Sequence, residues 1–80
     1  MKIDKKQEIL IKRIADLCQE YEMSYYELSY RSAIPLSTLM HIVDGSTKNP
    51  GIFTVFKICD GFGISLAEFV QAKEFQEMER

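Results

Sequence analysis

The chain has 80 residues, of which 46% are hydrophobic and 28% charged, and its formal net charge is −2. This composition is ordinary for a globular protein and excludes an intrinsically disordered one. No apolar run approaches the roughly 20 residues of a membrane span, and the charged N-terminus does not read as a secretory signal, so we expect a cytoplasmic protein. A chain this small commonly gains by pairing, which favours a homodimer.

The cysteine and histidine content argues against a metal centre. Cys18 and Cys59 stand 41 positions apart without a CxxC motif, and His41 is the only histidine. Four zinc ligands are not readily gathered from this set, so we expect two buried, reduced thiols, no metal and no cofactor. Without a paired nucleophile or a glycine-rich phosphate loop, His41 is not expected to make the chain an enzyme.

Charge is distributed unevenly along the sequence. Residues 1–13 carry a local charge of +3, residues 14–34 carry −3, residues 35–50 balance, and residues 51–80 sum to −2. The basic side chains of the first segment are predicted to form a solvated helix face, with phosphate contact as the alternative. The side chains in this prediction are Lys5, Lys6, Lys12 and Arg13, and Lys2 adds to the charge of the segment.

Apolar residues recur at helical spacing through the first half of the chain. Asp4 with Gln7 predicts a capping box that opens a first helix. Its apolar stripe comprises Leu10, Ile14, Leu17, Cys18 and Tyr21. Ser24 with Glu27 predicts a second capping box, which opens a short helix ending at about Ser32.

The second half continues the helical pattern. Pro35 fits the start of a third helix that runs to Val43, with Gly45 just past its end. The breaker at 49–51 precedes a fourth helix that stops at Gly63. The side chains that this helix is expected to bury are Ile52 or Phe53, then Val55, Phe56, Ile58, Cys59 and Phe62.

The last predicted helix opens at a third capping box, Ser65 with Glu68, and passes through Leu66, Phe69 and Val70. The polar C-terminal tail, 73–80, either continues this helix or frays. Phe69, Val70 and Phe75 either finish the core or form a dimer seam. The pattern therefore predicts an all-α chain with a single domain over 1–80 and a core of about 5–72.

Residues 24–45 predict a helix-turn-helix, in which two short helices pack steeply across a tight turn. Ser29 and Ala33 are the small residues predicted to allow the close approach, with Ile34 at the corner. Leu28, Leu39 and Ile42 are predicted to face the core. Periodicity then exposes one side of the second helix, with Thr38 at its edge: Leu36, Ser37, Met40, His41 and Asp44. A second helix that protrudes in this way fits a DNA major groove.

The arrangement resembles the Cro/repressor (Xre-type) helix-turn-helix family over roughly residues 9–70. The motifs that carry the resemblance are Met23-Ser24-x-x-Glu27-Leu28, Ile34-Pro35-x-Ser37-Thr38-Leu39, Ile42-Val43-Asp44-Gly45, Lys48-Asn49-Pro50 and the run from Lys57 to Phe69. The resemblance implies a compact five-helix, lambda-repressor-like domain, often dimeric, that binds operator DNA.

By position in the family pattern, the DNA base-facing side chains are Leu36, Ser37, Thr38, Met40 and His41. The DNA backbone contacts implied in the same way are Tyr25, Ser46, Thr47, Lys48 and Asn49. Ala33 replaces the usual turn glycine, and a left-handed alanine costs about 1 kcal/mol. The base-facing set lacks the arginine, glutamine or lysine used for bidentate base contacts. Recognition would therefore rely on hydroxyl and imidazole hydrogen bonds, thymine-methyl contacts and DNA shape.

The leading hypothesis is a transcriptional regulator, a repressor in preference to an activator, whose dimer occludes double-stranded operator DNA. With no room for a ligand-sensing domain, regulation would come from concentration, a protein partner or proteolysis. One alternative is a protein-interaction module, favoured by the acidic balance and the apolar pair Leu36 and Met40. Another is the antitoxin of a toxin–antitoxin pair, which binds both DNA and a protein.

Overall fold

A computed structural model of the chain describes residues 4–78. Within this range the chain forms six helices and no strand: α1 Lys5–Glu20, α2 Tyr25–Ser32, α3 Leu36–Val43, α4 Ile52–Phe62, α5 Leu66–Phe69 and α6 Lys73–Met78. The first five are the predicted helices, which confirms the all-α, five-helix fold. Within the described part of the tail, 73–78, the chain forms the short α6, which a turn at 70–72 separates from α5. Lys2 and residues 79–80 lie outside the described residues.

Two of the three predicted capping boxes are present. At α1, the Asp4 carboxylate accepts a hydrogen bond from the Lys6 backbone N–H at 2.7 Å, and Gln7 Oε1 accepts one from the Asp4 N–H at 3.1 Å. Ser65 and Glu68 form the same reciprocal pair at α5. These bonds satisfy N–H groups that the first helical turn leaves unpaired, so the helix starts could be predicted from local sequence.

The second predicted capping box forms only one of its two hydrogen bonds. Ser24 Oγ accepts from the Glu27 N–H at 3.0 Å, as predicted. The Glu27 carboxylate, however, pairs with the Arg31 guanidinium at 2.9 Å, one helical turn further on. A charge-assisted bond to a guanidinium is stronger than a bond to a neutral N–H, so the arginine takes this carboxylate.

The core lies where five helices and the helix-turn-helix corner converge. Its buried side chains are Ile14, Leu17, Cys18, Leu28, Ile34, Leu39, Ile42, Ile58, Cys59, Phe62 and Phe69. Helix α2 packs against both α3 and α4, and α1 packs against α3 and α6. Both cysteines are free and buried, as predicted, and burial raises the pKa of each thiol. Because this core fixes α3 from one side only, the opposite side of α3 is left outside the bundle.

The prediction for α4 is wrong at its N-terminal half. Ile52, Phe53 and Phe56 are exposed by 53%, 77% and 41%. At 100° per residue, the buried positions Ile58 and Phe62 define a face from which Phe53 and Phe56 point away. The predicted apolar residues span too much of the circumference of α4 for all of them to be buried against one core.

Helices α2 and α4 approach closely at Gly61, which is buried. A methyl group at position 61 would overlap Ser32 Oγ and touch Leu28 Cδ1. Ser32 Oγ is itself buried and has no hydrogen-bond partner among the described residues. Small residues therefore do permit a close helix approach, but at the α2–α4 contact rather than through Ala33.

Arg13 is not part of a solvated face. Its Nε donates to the Phe69 carbonyl at 2.6 Å and its guanidinium NH2 donates to the Glu68 carbonyl at 2.8 Å. The guanidinium also lies 5.9 Å from the centroid of the Phe69 ring. A cation bonded to the last carbonyls of a helix is favourable, so Arg13 joins α1 to the end of α5.

The predicted dimer seam at the last helix is not available as a surface. Phe69 is only 1% exposed and belongs to the core. Phe75 is half-buried and lies against Phe69, with ring centroids 5.9 Å apart. Val70 is exposed, whereas Phe69 and Phe75 finish the core.

Candidate nucleic-acid interface

The turn between α2 and α3 is built on a left-handed alanine. Ala33 adopts φ 57° and ψ 38°, the region that favours glycine. The Ile34 N–H then donates to the Ser29 carbonyl at 3.0 Å, which closes the end of α2. Ser29 is buried as predicted, whereas Ala33 is exposed. Ala33 therefore sets the direction of the chain into α3, and the prediction that it packs between the helices is wrong.

Helix α3 is divided into a buried side and an exposed side. Leu39 is fully buried and Ile42 is 2% exposed, which fixes the rotation of the helix about its axis. All five predicted base-facing side chains lie on the exposed side: Leu36, Ser37, Thr38, Met40 and His41. By helical geometry Ser37 and His41 lie at the centre of this side, with Leu36 and Met40 along one edge and Thr38 along the other.

An acidic group lies at the C-terminal end of the exposed side. The Asp44 carboxylate accepts a hydrogen bond from the Ser46 backbone N–H at 2.8 Å and lies 3.9 Å from His41 Nδ1. Hydrogen bonds from the side chain and backbone of Ser46, with a smaller effect of His41, lower the pKa of Asp44. This residue therefore stays ionised and shapes the turn that leads out of α3.

The loop after α3 is fastened to the start of α1. Gln7 Nε2 donates to the carbonyls of Gly45 and Thr47, at 3.2 Å and 3.3 Å. The Thr47 N–H donates to the His41 carbonyl at 3.0 Å, so the loop is also tied to the end of α3. Ser46 is exposed and Thr47 is half-buried. The structure thereby holds the predicted backbone-contacting loop in a fixed position relative to α3.

Lysines from two elements border one open groove beside this loop. Lys5 and Lys6 at the start of α1 line the groove, which has a volume of about 900 Å³, together with Lys48 and Asn49 of the loop. Asp4 also lines it, but its carboxylate is engaged as the helix cap. Three cations around an open surface are suited to polyanion binding. Lys5 and Lys6 thus lie beside Lys48, a proximity that the charge pattern did not indicate.

Tyr25 is less accessible than the other predicted site residues. It is half-buried and packs against the core, and burial together with the nearby Cys18 raises the pKa of its hydroxyl. The adjacent Tyr26 is 69% exposed. Tyr25 is therefore the one of these two tyrosines that packs on the bundle.

Sequence reasoning missed the positioning role of Gln7. A glutamate at this position would complete the capping box equally well, but it has no N–H to donate. The amide at position 7, in place of a carboxylate, is therefore the sequence signal that this side chain also donates hydrogen bonds. Those partners lie about 40 positions along the chain, so only the fold could identify them.

These features agree with the comparison to known families. A family model for the Cro/C1-type HTH DNA-binding domain matches residues 13–74. The chain therefore belongs to the Cro/C1-type helix-turn-helix family of DNA-binding domains. No curated protein matches the chain, and no solved structure matches it either.

Among residues 4–78, none of the helices has the length and hydrophobicity that a membrane span requires. No group of three or more His, Cys, Asp or Glu side chains there could hold a metal ion.

Proposed function

We propose that this protein is a sequence-specific transcriptional regulator, a repressor, that occludes operator DNA by inserting α3 into the major groove. The observation that carries the proposal is the exposed polar side of α3, centred on Ser37 and His41 and bordered by a loop that Gln7 holds in place. Base contact needs side chains that project from a rigid element. Two buried thiols suit a reducing compartment, which supports action in the cytoplasm.

We assign base contact to Ser37, Thr38 and His41 through hydrogen bonds, and to Leu36 and Met40 through thymine methyl groups. Lys48, Asn49, Ser46 and Thr47 are assigned to the DNA backbone, with Tyr25 as a further backbone contact at the start of α2. We add Lys5 and Lys6 to this group because they share the groove with Lys48. Operators commonly repeat a half-site about one helical turn apart, so the regulator acts as a homodimer.

The test is selection of bound duplexes from a random DNA pool, followed by gel-shift titration across salt concentrations. We expect a recovered two-fold symmetric sequence and a shallow dependence of affinity on salt, because each subunit offers few cations to phosphate. Failure to retard any selected or genomic fragment at low salt would contradict the proposal.

Matched variants separate the two kinds of contact. Ser37→Ala with His41→Ala is expected to lower the ratio of operator to random-sequence affinity about tenfold, because base contacts carry the sequence preference. Lys48→Gln should weaken binding to both DNAs alike and reduce the salt slope by about 1. If Ser37→Ala with His41→Ala leaves the affinity ratio unchanged, the assignment of the base contacts is wrong.

A protein-interaction module is the second candidate. Leu36 and Met40 are exposed by 40% and 39%, and they form one apolar edge of α3. Such an edge is as suitable for a protein as for a thymine methyl. A protein partner whose binding is lost in Met40→Ser, in a chain that retards no DNA, would favour this function.

A further inference from the structure

The N-terminal half of α4 carries an exposed apolar surface that neither the core nor the proposed DNA interface uses. We call the solvent side of α4 the α4 outer face: it comprises this apolar group, Ile52, Phe53 and Phe56, followed by Lys57 and Asp60. Phe53 is 77% exposed, and its ring lies edge-to-face against that of Phe56 with centroids 6.3 Å apart. The opposite side of α4 carries Ile58 and Phe62, which are buried. Two aromatic rings in contact on the solvent side of a helix indicate a contact surface.

We infer that the α4 outer face is the surface through which two copies of this chain pair about a two-fold axis. The role of this pairing on DNA rests on the proposed function, but the pairing itself does not.

Charge favours a second copy as the occupant. Lys57 and Asp60 lie on the same side of α4 as the two phenylalanines, and both are exposed. A two-fold axis that sets two α4 helices antiparallel can bring Lys57 of each copy near Asp60 of the other, so the face is complementary to itself. DNA is a poor occupant, because one cation beside one anion provides no net attraction for phosphate.

The size of the surface determines how tightly the copies pair. Three partly exposed apolar side chains offer roughly 300–400 Å² per copy, whereas a standard interface buries about 800 Å² per partner. Pairing in the free protein should therefore be weak and transient. DNA with two adjacent half-sites raises the effective concentration of the second copy. The same weak contact is then enough to pair the two bound copies.

The position of α4 along the chain fits this role. Helix α4 begins at Ile52, three positions after Asn49, the last residue of the proposed backbone-contacting loop. The α4 outer face therefore starts beside the DNA interface. Because the paired α4 helices run antiparallel, the loops of the two copies lie towards opposite ends of the pair, where they can reach adjacent half-sites of one duplex.

Sedimentation equilibrium of the full chain, without DNA and up to about 1 mM, tests the pairing directly. We expect a monomer–dimer equilibrium that Phe53→Ser weakens at least about tenfold, as loss of an aromatic anchor residue does. The control is Tyr30→Ser, which removes an aromatic ring that is 81% exposed on α2. It should leave the association constant within about twofold. Circular dichroism should report unchanged helicity in both variants, because neither ring belongs to the core.

Charge reversal tests the two-fold arrangement. Lys57→Asp should weaken pairing, and the combination of Lys57→Asp with Asp60→Lys should restore it, because the exchanged charges again oppose each other. Failure of the double variant to recover would contradict the antiparallel arrangement. A wild-type chain that stays monomeric at every concentration, or pairing that Phe53→Ser leaves intact, would overturn the inference.

A DNA experiment separates this inference from the proposed function. On duplexes with one half-site, Phe53→Ser should bind as wild type does, and on duplexes with two half-sites it should lose cooperativity. Pairing without any DNA binding would contradict the proposed function and leave the pairing intact. If Phe53→Ser instead abolishes capture of a different protein by a monomeric wild-type chain, the face serves that protein and the inference fails.

Discussion

Ala33 is held in the left-handed region at the point where the chain turns from α2 into α3. A β-carbon in this conformation crowds the backbone, whereas glycine adopts it freely. The residue is exposed, so its side chain contributes little packing. The turn that directs α3 outwards therefore carries local backbone strain that the rest of the fold offsets.

Ala33→Gly should accordingly stabilise the protein. We expect a gain of about 0.5–1 kcal/mol in the free energy of unfolding, since relief of strain exceeds the added entropy of the unfolded chain. Urea unfolding measures this change. The control Ala15→Gly, in the interior of α1, should destabilise by about 1 kcal/mol. A loss of stability in Ala33→Gly would show that the turn is not strained.

Asp44 places a negative charge at the end of the side of α3 that we assign to DNA. Asp44→Asn keeps an oxygen that can accept the Ser46 N–H and removes the charge. At low salt we expect binding about two- to fivefold tighter, because one repulsion against phosphate is lost.

Glu20→Gln provides the matched control for this variant. It makes the same change of charge at the end of α1, where the surrounding groove is lined by no residue of α3. Gel-shift titrations of both variants should show tighter binding only for Asp44→Asn. An equal effect in both would mean that net charge alone is responsible and that Asp44 does not face the DNA.

At the level of the elements, α2 and α4 meet in a close contact at Gly61. Gly61 leaves no room for a methyl group beside Ser32, whose buried hydroxyl has no hydrogen-bond partner among the described residues. Because α2 in turn supports α3, the spacing of this contact helps to set the position of the proposed DNA-reading helix.

Gly61→Ala should destabilise by about 1–3 kcal/mol through overpacking. Ser32→Ala should be neutral or stabilising by up to about 1 kcal/mol, because it removes an unsatisfied buried hydroxyl. In the double variant the loss caused by Gly61→Ala should shrink by about 1 kcal/mol, since the overlapping oxygen is gone. Chemical unfolding of all four proteins gives this coupling energy. Strictly additive effects would show that the two positions do not touch.

The helix boundaries could be predicted because they depend on local chemistry. Pro35 at the start of α3 and Gly63 at the end of α4 each act within a few residues, and the structure places both where the sequence indicated. The same holds for the exposed side of α3, which follows from the burial of Leu39 and Ile42 by periodicity alone. The roles of these exposed side chains on DNA stay a prediction.

Contacts between residues that are distant in sequence could not be predicted in the same way. The apolar pattern of α4 does not indicate which arc of the helix meets the core, so it predicts burial of Phe56 and of either Ile52 or Phe53, all of which are exposed. Arg13 similarly looked like part of a solvated face, because its carbonyl partners at 68 and 69 are distant in sequence. Partners brought together only by folding leave no local pattern.

For the molecule as a whole, both thiols lie in one core, and burial raises the pKa of each. The stabilising contribution of a group whose pKa is raised on folding is present below its unfolded pKa and is lost as pH rises through its folded pKa. We therefore expect a free energy of unfolding that is insensitive to these thiols up to about pH 8 and falls above the ordinary thiol pKa of about 8.5.

Urea unfolding between pH 7 and pH 10 checks this pH dependence. Cys59→Ala should start from a lower stability at neutral pH, because it leaves a cavity, but should lose less on going to pH 10. An identical alkaline loss in wild type and Cys59→Ala would show that the thiol does not carry the effect.

Family membership and the outward side of α3 lead to the same expectation, that α3 reads DNA. The most direct measurement is the change in backbone amide NMR shifts when the labelled chain is titrated with a selected half-site duplex. The largest changes should lie in residues 36–41 and 46–49, with the start of α1 affected less and the α4 outer face unaffected. Shifts that are absent at low salt, or that concentrate on α4 and leave α3 unchanged, would contradict DNA reading by this helix.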